Sequence, residues 1–410
     1  MTRTLFSGGL VFDGTGVGLA RGDVLVEDGQ ITGVGDGYDA DDVVDCTGKS
    51  ILPGLFDCHV HMMSSGIDLL TTLNKPYSYP YFEAVVNMRR TLDAGITTAR
   101  DAGGSDLGLK EAVDKGLVPG PRLKIAITIL SQTGGHNDRW MACGIALNRA
   151  TPGCPDAIVD GVDAARRKVR ELIRAGADQI KVCTSGGVLS PRDDPRHAHF
   201  RMDELEEIVA QATVAGSYVM AHAQATDGIK NAVRAGIRSV EHGVFLDDEA
   251  IEMMLEAGTW LVPTLVAPVS VLEAVEAGAG VPPQVVAKAH DVIEIHHESI
   301  RRAVAAGVRI AMGTDSGVGP HGQNLRELGL MHEVGMTPEQ VLVATTSSAA
   351  QLLGVDDELG TIADGKRADL VVVDGDPFDL KTLRERIDQV WKDGEPASTA
   401  TRDSLEDSQS

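Results

Sequence analysis

An Ala-Gly pair recurs along this chain, and each time it separates a helix-type pattern from a short apolar run. The six pairs are Ala94-Gly95, Ala175-Gly176, Ala215-Gly216, Ala235-Gly236, Ala257-Gly258 and Ala306-Gly307. Glycine just past the last periodic residue ends a helix, because it adopts the left-handed conformation without strain. The runs that follow are ITTARD, ADQIKV, SYVMAHA, IRSVEHG, TWLVPTL and VRIAMGTD. Alternating helices and apolar strands predict a parallel sheet.

Two further apolar runs, in LPGLFDCHVH and RLKIAITIL, bring the number of predicted strands to eight. Eight parallel strands with intervening helices form a TIM barrel, which takes about 250 residues. The chain has 410 residues, so its two ends are free to form a second, smaller unit. Asp28-Gly29 is a hairpin turn signal in the first of them. We therefore predict an α/β fold, with a (β/α)8 barrel over residues 57–357 and a small sheet made from residues 1–56 and 358–395.

Charge and cysteine content narrow the classes of partner and compartment. Lys and Arg number 37 against 60 Asp and Glu, a net charge of −23, which argues against nucleic-acid and membrane partners. Neither a secretory signal nor a membrane-spanning run is visible, and five cysteines without a CxxC pair indicate a cytoplasmic protein with reduced thiols. Whether Cys143 and Cys154 pair is left open. The small, polar residues 396–410 predict a disordered tail.

Ligand-type side chains stand at the carboxyl ends of four predicted strands, which is the end where barrels carry their active sites. They are His59, His61, His222, His242 and Asp315. A lone histidine is more often structural, but a shared strand-end position across several strands favours a metal site. The other histidines, His290, His296, His297, His321 and His332, lie away from strand ends and are interpreted as structural or surface residues.

Lys181 lies in the apolar run DQIKVCTSGG and is predicted to end the fourth strand. A snorkelling or ion-paired lysine is one interpretation. Beside four histidines and an aspartate, we favour carbamylation by carbon dioxide, which removes the charge and supplies a carboxylate. That reaction needs a lysine whose pKa is lowered by burial.

The strings HVH, IKVCTSGG, AHA, SVEHG and GTDSG, in this order, resemble the amidohydrolase superfamily over residues 3 to about 394. The resemblance implies that the small sheet is a β-sandwich and that the protein is a homo-oligomer. It also implies the binuclear subtype, with two divalent ions, zinc being our expectation. His59, His61 and Asp315 would hold the first ion and His222 and His242 the second, with a carbamate on Lys181 bridging them.

A narrower resemblance, in TSGGVLSP and GGHND, is to a subgroup of Xaa-Pro, Xaa-Arg and Xaa-Lys dipeptidases and ochratoxin-degrading enzymes. Several such dipeptidases have a tyrosine after AHA, where this chain has Gln224. We expect His136 to stabilise an oxyanion. Further candidate substrate contacts are Gly186 and Gly187, Gln224, and Arg192 or Arg196, which could grip a carboxylate. A plain tight turn at the glycines and a solvated loop with internal Arg-Asp pairs are the alternative interpretations.

The predicted activity is hydrolysis of a small-molecule amide, in dipeptides or N-acyl amino acids, by a hydroxide that bridges the two ions. Asp315 would accept the proton of this hydroxide and deliver it to the leaving amine. Hydrolysis of a lactone, carbamate, urea or cyclic amide by the same site is an alternative. A non-catalytic binding or assembly protein on a hydrolase barrel is a third possibility, which the intact set of six ligands disfavours.

Overall fold

The computed structural model describes residues 2–148 and 150–399 of the chain. The strands are β1 (Arg3–Ser7), β2 (Leu10–Phe12), β3 (Leu19–Arg21), β4 (Asp23–Glu27), β5 (Gln30–Gly35), β6 (Asp42–Asp45), β7 (Lys49–Pro53), β8 (Leu55–Val60), β9 (Ile96–Asp101), β10 (Arg122–Ile125), β11 (Ile129–Leu130), β12 (Ile180–Cys183), β13 (Val219–Ala223), β14 (Ser239–His242), β15 (Trp260–Val262), β16 (Leu370–Asp374), β17 (Ile387–Lys392) and β18 (Glu395–Thr399). The α-helices are α1 (Leu69–Leu73), α2 (Tyr79–Asp93), α3 (Leu107–Asp114), α4 (Val162–Arg174), α5 (Met202–Val214), α6 (Thr226–Arg234), α7 (Asp248–Ala257), α8 (Val266–Glu276), α9 (Pro283–Ala306), α10 (Arg326–Glu333), α11 (Pro338–Thr345) and α12 (Ser347–Leu353).

Helix ends follow the Ala-Gly pattern. Each of the six glycines has a positive φ, and four of the preceding alanines, Ala94, Ala175, Ala215 and Ala235, are helix C-caps. After α7 and α9 the glycine itself is the left-handed cap. The predicted helix ends are therefore confirmed, and each returns the chain to the barrel.

The barrel is an α/β assembly of parallel strands, and its hydrogen bonding is interrupted at two places. β8, β9 and β10 form one sheet, and β11 to β15 form another. The run RLKIAITIL, predicted as one strand, is split because Ile127 has a φ of 66° between β10 and β11. A TIM barrel was correctly predicted, but its third strand is shared between the two sheets.

The eighth barrel position is held by residues 308–316, which form no regular strand. Ile310 bridges Leu261 of β15 and Ser316 bridges Val60 of β8, both in parallel, so the segment still closes the barrel. The prediction of a continuous eighth strand is wrong, because the backbone leaves the strand conformation at Asp315. Asp315 has a φ of 61°, and both its N–H and that of Thr314 donate to the His59 carbonyl, which breaks the ladder.

Both chain ends build a sheet domain beside the barrel. One sheet has the order β5-β4-β1-β6 and the other the order β18-β17-β16-β7-β2-β3. Their inner faces share a buried core that includes Phe6 and Ile31 from the first sheet and Ile51 and Val372 from the second. The Asp28-Gly29 hairpin joins β4 to β5, with both residues at positive φ.

The C-terminal boundary differs from the predicted one. Residues 396–399, predicted to belong to a disordered tail, are part of β18, because this segment pairs antiparallel with β17. The remainder of that predicted tail, residues 400–410, lies outside the described residues. Cys143 and Cys154 are both free thiols. None of the helices in the described part of the chain is long and apolar enough to cross a bilayer.

Arg122 of β10 joins the barrel to the sheet domain. Its guanidinium lies 3.0 Å from Asp369 and 2.7 Å from Asp393, and the Asp369 side chain is only 3% exposed. We expect Arg122→Leu to lower the free energy of unfolding by about 3 kcal/mol, because it leaves a buried carboxylate without its cation. Urea denaturation checks this. Lys115→Ala, at a solvent-exposed ion pair with Glu111, is the control and should leave stability unchanged; an equal loss in both variants would contradict the assignment.

Candidate active site

All six predicted ligand side chains meet at the carboxyl end of the barrel. Asp315 Oδ1 lies 3.1 Å from His61 Nε2 and 3.5 Å from His59 Nε2, and Lys181 Nζ lies 3.4 Å from His59 Nε2. The ring of His242 is 5.2 Å from that of His59 and 4.6 Å from that of His222, measured between centroids. Residues from five strand positions thus form one cluster.

Lys181 starts deeper in the barrel than predicted. It is the second residue of β12 and pairs with Met220, whereas Cys183 is the residue level with His222. The prediction that Lys181 ends its strand is therefore wrong by two residues. Its long side chain makes up the difference, and the amine reaches His59 while the residue stays 2% exposed.

One nitrogen of each imidazole is held by a neighbour. Nδ1 of His59, His61 and His242 lies 2.8 Å from Glu241, 2.7 Å from the Gly103 carbonyl and 2.6 Å from Thr264 Oγ1, respectively. His222 is held through its other ring nitrogen, since its Nε2 lies 3.0 Å from the Gly186 carbonyl. A ring that donates through one nitrogen has a lone pair on the other, so these partners prepare each ring to bind a cation.

Burial sets the charge of the cluster. It lowers the pKa of His59 and His222 well below the usual value and that of His242 to about 3, so these rings are neutral. Burial also lowers the pKa of Lys181. The pKa of Asp315 is held far below its usual range, because His59 and His61 outweigh the effect of its burial.

These donors fit a divalent cation. His59, His61 and Asp315 each offer one ligand atom, and the three atoms lie within 4.8 Å of one another. Neutral imidazole and an ionised carboxylate are the protonation states that bind zinc and similar ions. His222, His242 and Lys181 border this group with the same donor chemistry or, for Lys181, with an amine suited to carbamylation.

Glu241 supports the cluster from inside the barrel, a role that the sequence analysis missed. Its buried carboxylate contacts His59 at 2.8 Å, the fully buried Arg100 at 2.9 Å and Ser239 at 2.5 Å. The sequence did contain a signal for this role, because Arg100 and Glu241 are charged residues within the apolar runs ITTARD and SVEHG. A buried arginine and a buried glutamate need each other, and together they fix the orientation of His59.

Asp57 positions the irregular eighth segment that carries Asp315. Its carboxylate accepts hydrogen bonds from the Thr314 hydroxyl at 2.6 Å, the Thr314 N–H at 3.1 Å and Asn324 at 2.7 Å. His242 and Asp315 both have positive φ, at 74° and 61°, which costs energy in non-glycine residues. The surrounding hydrogen bonds thus hold His242 and Asp315 in conformations that the chain would otherwise avoid.

His136 lies over the cluster, as predicted. Its ring stacks on His222 with centroids 4.1 Å apart, and its Nδ1 is 2.7 Å from Ser190 and 3.2 Å from Asp193. Lys288 of α9 lies 3.1 Å from the Asp193 carboxylate and also donates to the carbonyls of Gly187, Ser190 and Asp193. The sequence analysis did not predict a role for Asp193 or Lys288, because no local sequence pattern links the loop after β12 to helix α9.

Gly186 and Gly187 are packed so closely against neighbouring atoms that neither position has room for a side chain. A Cβ on Gly187 would lie 2.3 Å from His136 and 2.7 Å from His222, and one on Gly186 would lie 2.1 Å from the Asp194 carbonyl oxygen. Their predicted role was close approach of the backbone to substrate. The structure shows a close approach of the backbone to the two histidine rings and to the loop itself.

A cleft opens beside the cluster and is lined mostly by apolar side chains. Its polar lining residues are His136, His222, Gln224, His242, Thr264, His296 and Asp315. His296, interpreted from sequence as structural or surface, is 1% exposed, contacts the His242 carbonyl at 2.8 Å and borders this cleft. Its position on α9 gave no sequence signal for this role.

Two predicted substrate contacts are directed elsewhere. Arg192 is exposed, lies 3.2 Å from the Trp140 carbonyl and stacks on the Trp140 ring. Arg196 stacks on Phe245 and pairs with Asp194. The structure therefore does not bring either guanidinium to the cleft.

Glu241→Gln should weaken metal retention about 10- to 100-fold, because a neutral amide orients His59 less firmly and loses its charge pair with Arg100. Competition with a chelating dye measures the dissociation constant, and circular dichroism reports whether the variant is folded. The matched control is Glu206→Gln at an exposed position of α5. Unchanged retention in a folded Glu241→Gln protein would show that the carboxylate does not support the site.

Comparison with known proteins gives a consistent result. The model of the amidohydrolase family matches residues 50–402. An ochratoxinase from Aspergillus niger is 32% identical over 417 residues, covering 95% of this chain and 86% of the fungal protein. A solved Xaa-Pro dipeptidase with methionine bound in its active site superimposes with a TM-score of 0.90 at 32% identity, covering 96% of this chain and 99% of the other. A prolidase complexed with N-methylphosphonate-L-proline gives the same TM-score and coverages at 35% identity.

Proposed function

Since this chain belongs to the amidohydrolase family and is a hydrolase of carbon–nitrogen bonds, we propose that it cleaves the amide bond of dipeptides or N-acyl amino acids with the help of two divalent cations. The observation that carries this proposal is a cluster of six side chains beside an apolar cleft. Three of them are neutral imidazoles, and the others are His61, Asp315 and Lys181. The similarity to an ochratoxinase and to a dipeptidase with bound methionine supports amides of amino acids as substrates.

His59, His61 and Asp315 would hold one ion, and His222 and His242 the other. Such ions, when bound, polarise a carbonyl and lower the pKa of a bound water. We propose that Lys181 carries a carbamate that contributes a ligand to both ions. Burial supports this assignment, because a lysine with a lowered pKa has the free amine that reacts with carbon dioxide. Zinc, a cytoplasmic location and a homo-oligomer stay predictions.

Asp315 is the residue that we propose to move the proton. Its carboxylate borders both His59 and His61. The side chain is 14% exposed and lines the cleft, so one side of it is open to a substrate. A carboxylate in this position accepts a proton from the attacking water and passes it to the amine as the carbon–nitrogen bond breaks.

His136 would stabilise the oxyanion. Asp193 and Ser190 face its Nδ1, which leaves Nε2 as the atom available to the substrate. Stacking on His222 places the ring next to the cluster, where a donor to the substrate carbonyl is needed. In this arrangement Asp193 and Lys288 are positioning residues.

Metal analysis and Lys181→Ala test the binuclear proposal together. The wild-type protein should hold close to two transition ions per chain, and Lys181→Ala should hold fewer and lose activity. Added propionate should restore part of the activity, because truncation leaves space for an external carboxylate. Lys115→Ala is the control. One ion or none in the active wild-type protein would contradict the binuclear site, and an inactive, metal-free wild type would favour the non-catalytic alternative.

His136→Asn should lower kcat by about 100-fold with little change in KM, if the ring acts on the developing oxyanion. Steady-state kinetics on the best N-acyl amino acid measures both constants. His290→Asn, on the exposed side of α9, serves as the control. A rise in KM at constant kcat would instead assign His136 to ground-state binding.

A further inference from the structure

Five valines from separate parts of the barrel face form one side of the cleft. They are Val188 after β12, Val244 after β14, Val271 of α8, Val292 of α9 and Val318 after Asp315. Each is at most 8% exposed, and together they belong to one apolar cluster with Val285 and Ala289. We call these five residues the valine wall. Branched, rigid side chains on five separate segments make a surface that suits an apolar group.

Charged partners for a substrate side chain are missing from this surface. Among the cleft-lining residues that the structure describes there is no lysine or arginine, and Asp315 is the one carboxylate. Three basic side chains of the neighbouring loop and of α9 are engaged elsewhere: Lys288 with Asp193 and three carbonyls, Arg192 with Trp140, and Arg196 with Phe245. Asp315 is already paired with His59 and His61. A charged side chain against the valine wall would therefore be desolvated without compensation.

Gln224 adds one polar feature to the cleft. It is 6% exposed, and the Ser185 hydroxyl fixes its backbone N–H at 2.8 Å. Its side-chain Oε1 is buried and has no hydrogen-bond partner among the described residues. Buried acceptors are nearly always paired, and an unpaired one is costly, so the side chain is suited to a ligand that brings a donor.

We infer that the cleft selects amides whose side chain is uncharged and apolar, and that Gln224 accepts a hydrogen bond from an N–H or O–H of the same substrate. The inference rests on the proposed amide hydrolysis and specifies its substrate class. It separates this chain from hydrolases that select lysine or arginine side chains, because those need a carboxylate at the wall.

Side-chain preference is tested with N-acetyl amino acids on zinc-loaded protein. N-acetyl-leucine, -methionine and -phenylalanine should have kcat/KM at least about 100-fold above N-acetyl-lysine, -arginine, -aspartate and -glutamate, because the charged groups lose their hydration at the valine wall. Faster hydrolysis of a charged member overturns the inference while leaving amide hydrolysis intact. If neither these compounds nor the glycyl dipeptides of the same amino acids are hydrolysed, the proposed function fails. Calorimetric binding of N-acetyl-leucine and N-acetyl-lysine then decides the inference, which tighter binding of the lysine derivative overturns.

Two substitutions test Gln224. Gln224→Leu should lower kcat/KM for N-acetyl-leucine about tenfold, mainly through KM, because the substrate donor loses its acceptor. Gln224→Glu is nearly isosteric and places a carboxylate beside the wall, so the ratio of kcat/KM for N-acetyl-lysine over N-acetyl-leucine should rise at least tenfold. Gln284→Leu, at an exposed position of α9, is the control for both. Unchanged constants in Gln224→Leu, or an unchanged ratio in Gln224→Glu, would overturn the role of Gln224.

Discussion

The buried contact of Glu241 with Arg100 and His59 connects the interior of the barrel to its active face. Arg100 is fully buried, and it also donates to the Cys58 carbonyl at 2.7 Å, so its charge ties β8, β9 and β14 together. Each of these charged groups would be unfavourable without the other. Because the carboxylate that neutralises Arg100 also contacts His59, the same interaction stabilises the barrel and orients the His59 ring.

Burial and neighbouring charges set the protonation states in the cluster above this contact. Burial keeps His59, His222 and His242 neutral and lowers the pKa of Lys181, while Asp315 remains ionised beside them. Neutral imidazoles and an ionised carboxylate are the protonation states that bind cations. The glycines after β12 matter here too, since a Cβ on Gly187 would displace the rings of His136 and His222.

Sequence patterns predicted what depends on local rules. Strand-end positions and helix-ending glycines follow from periodicity and backbone conformation, so the barrel and the grouping of the six side chains at one end of it were accessible from the sequence. The break at Ile127 and the irregular segment before Asp315 depend on tertiary hydrogen bonds, which periodicity does not report. Lys288 lies 101 positions along the chain from Gly187, whose carbonyl it contacts, and His296 lies 54 positions from His242. Only the folded structure reveals these contacts.

The pairing of β7 with β16 has a consequence for synthesis on the ribosome. Ser50 and Gly375, at one end of this pair, are hydrogen-bonded across 325 positions of the chain. While the barrel segments emerge, β7 has β2 beside it but still lacks its antiparallel partner, and its apolar edge stays open to other strands. The first strands of the sheet domain are therefore synthesised before the barrel, and their partners β16, β17 and β18 are synthesised after it.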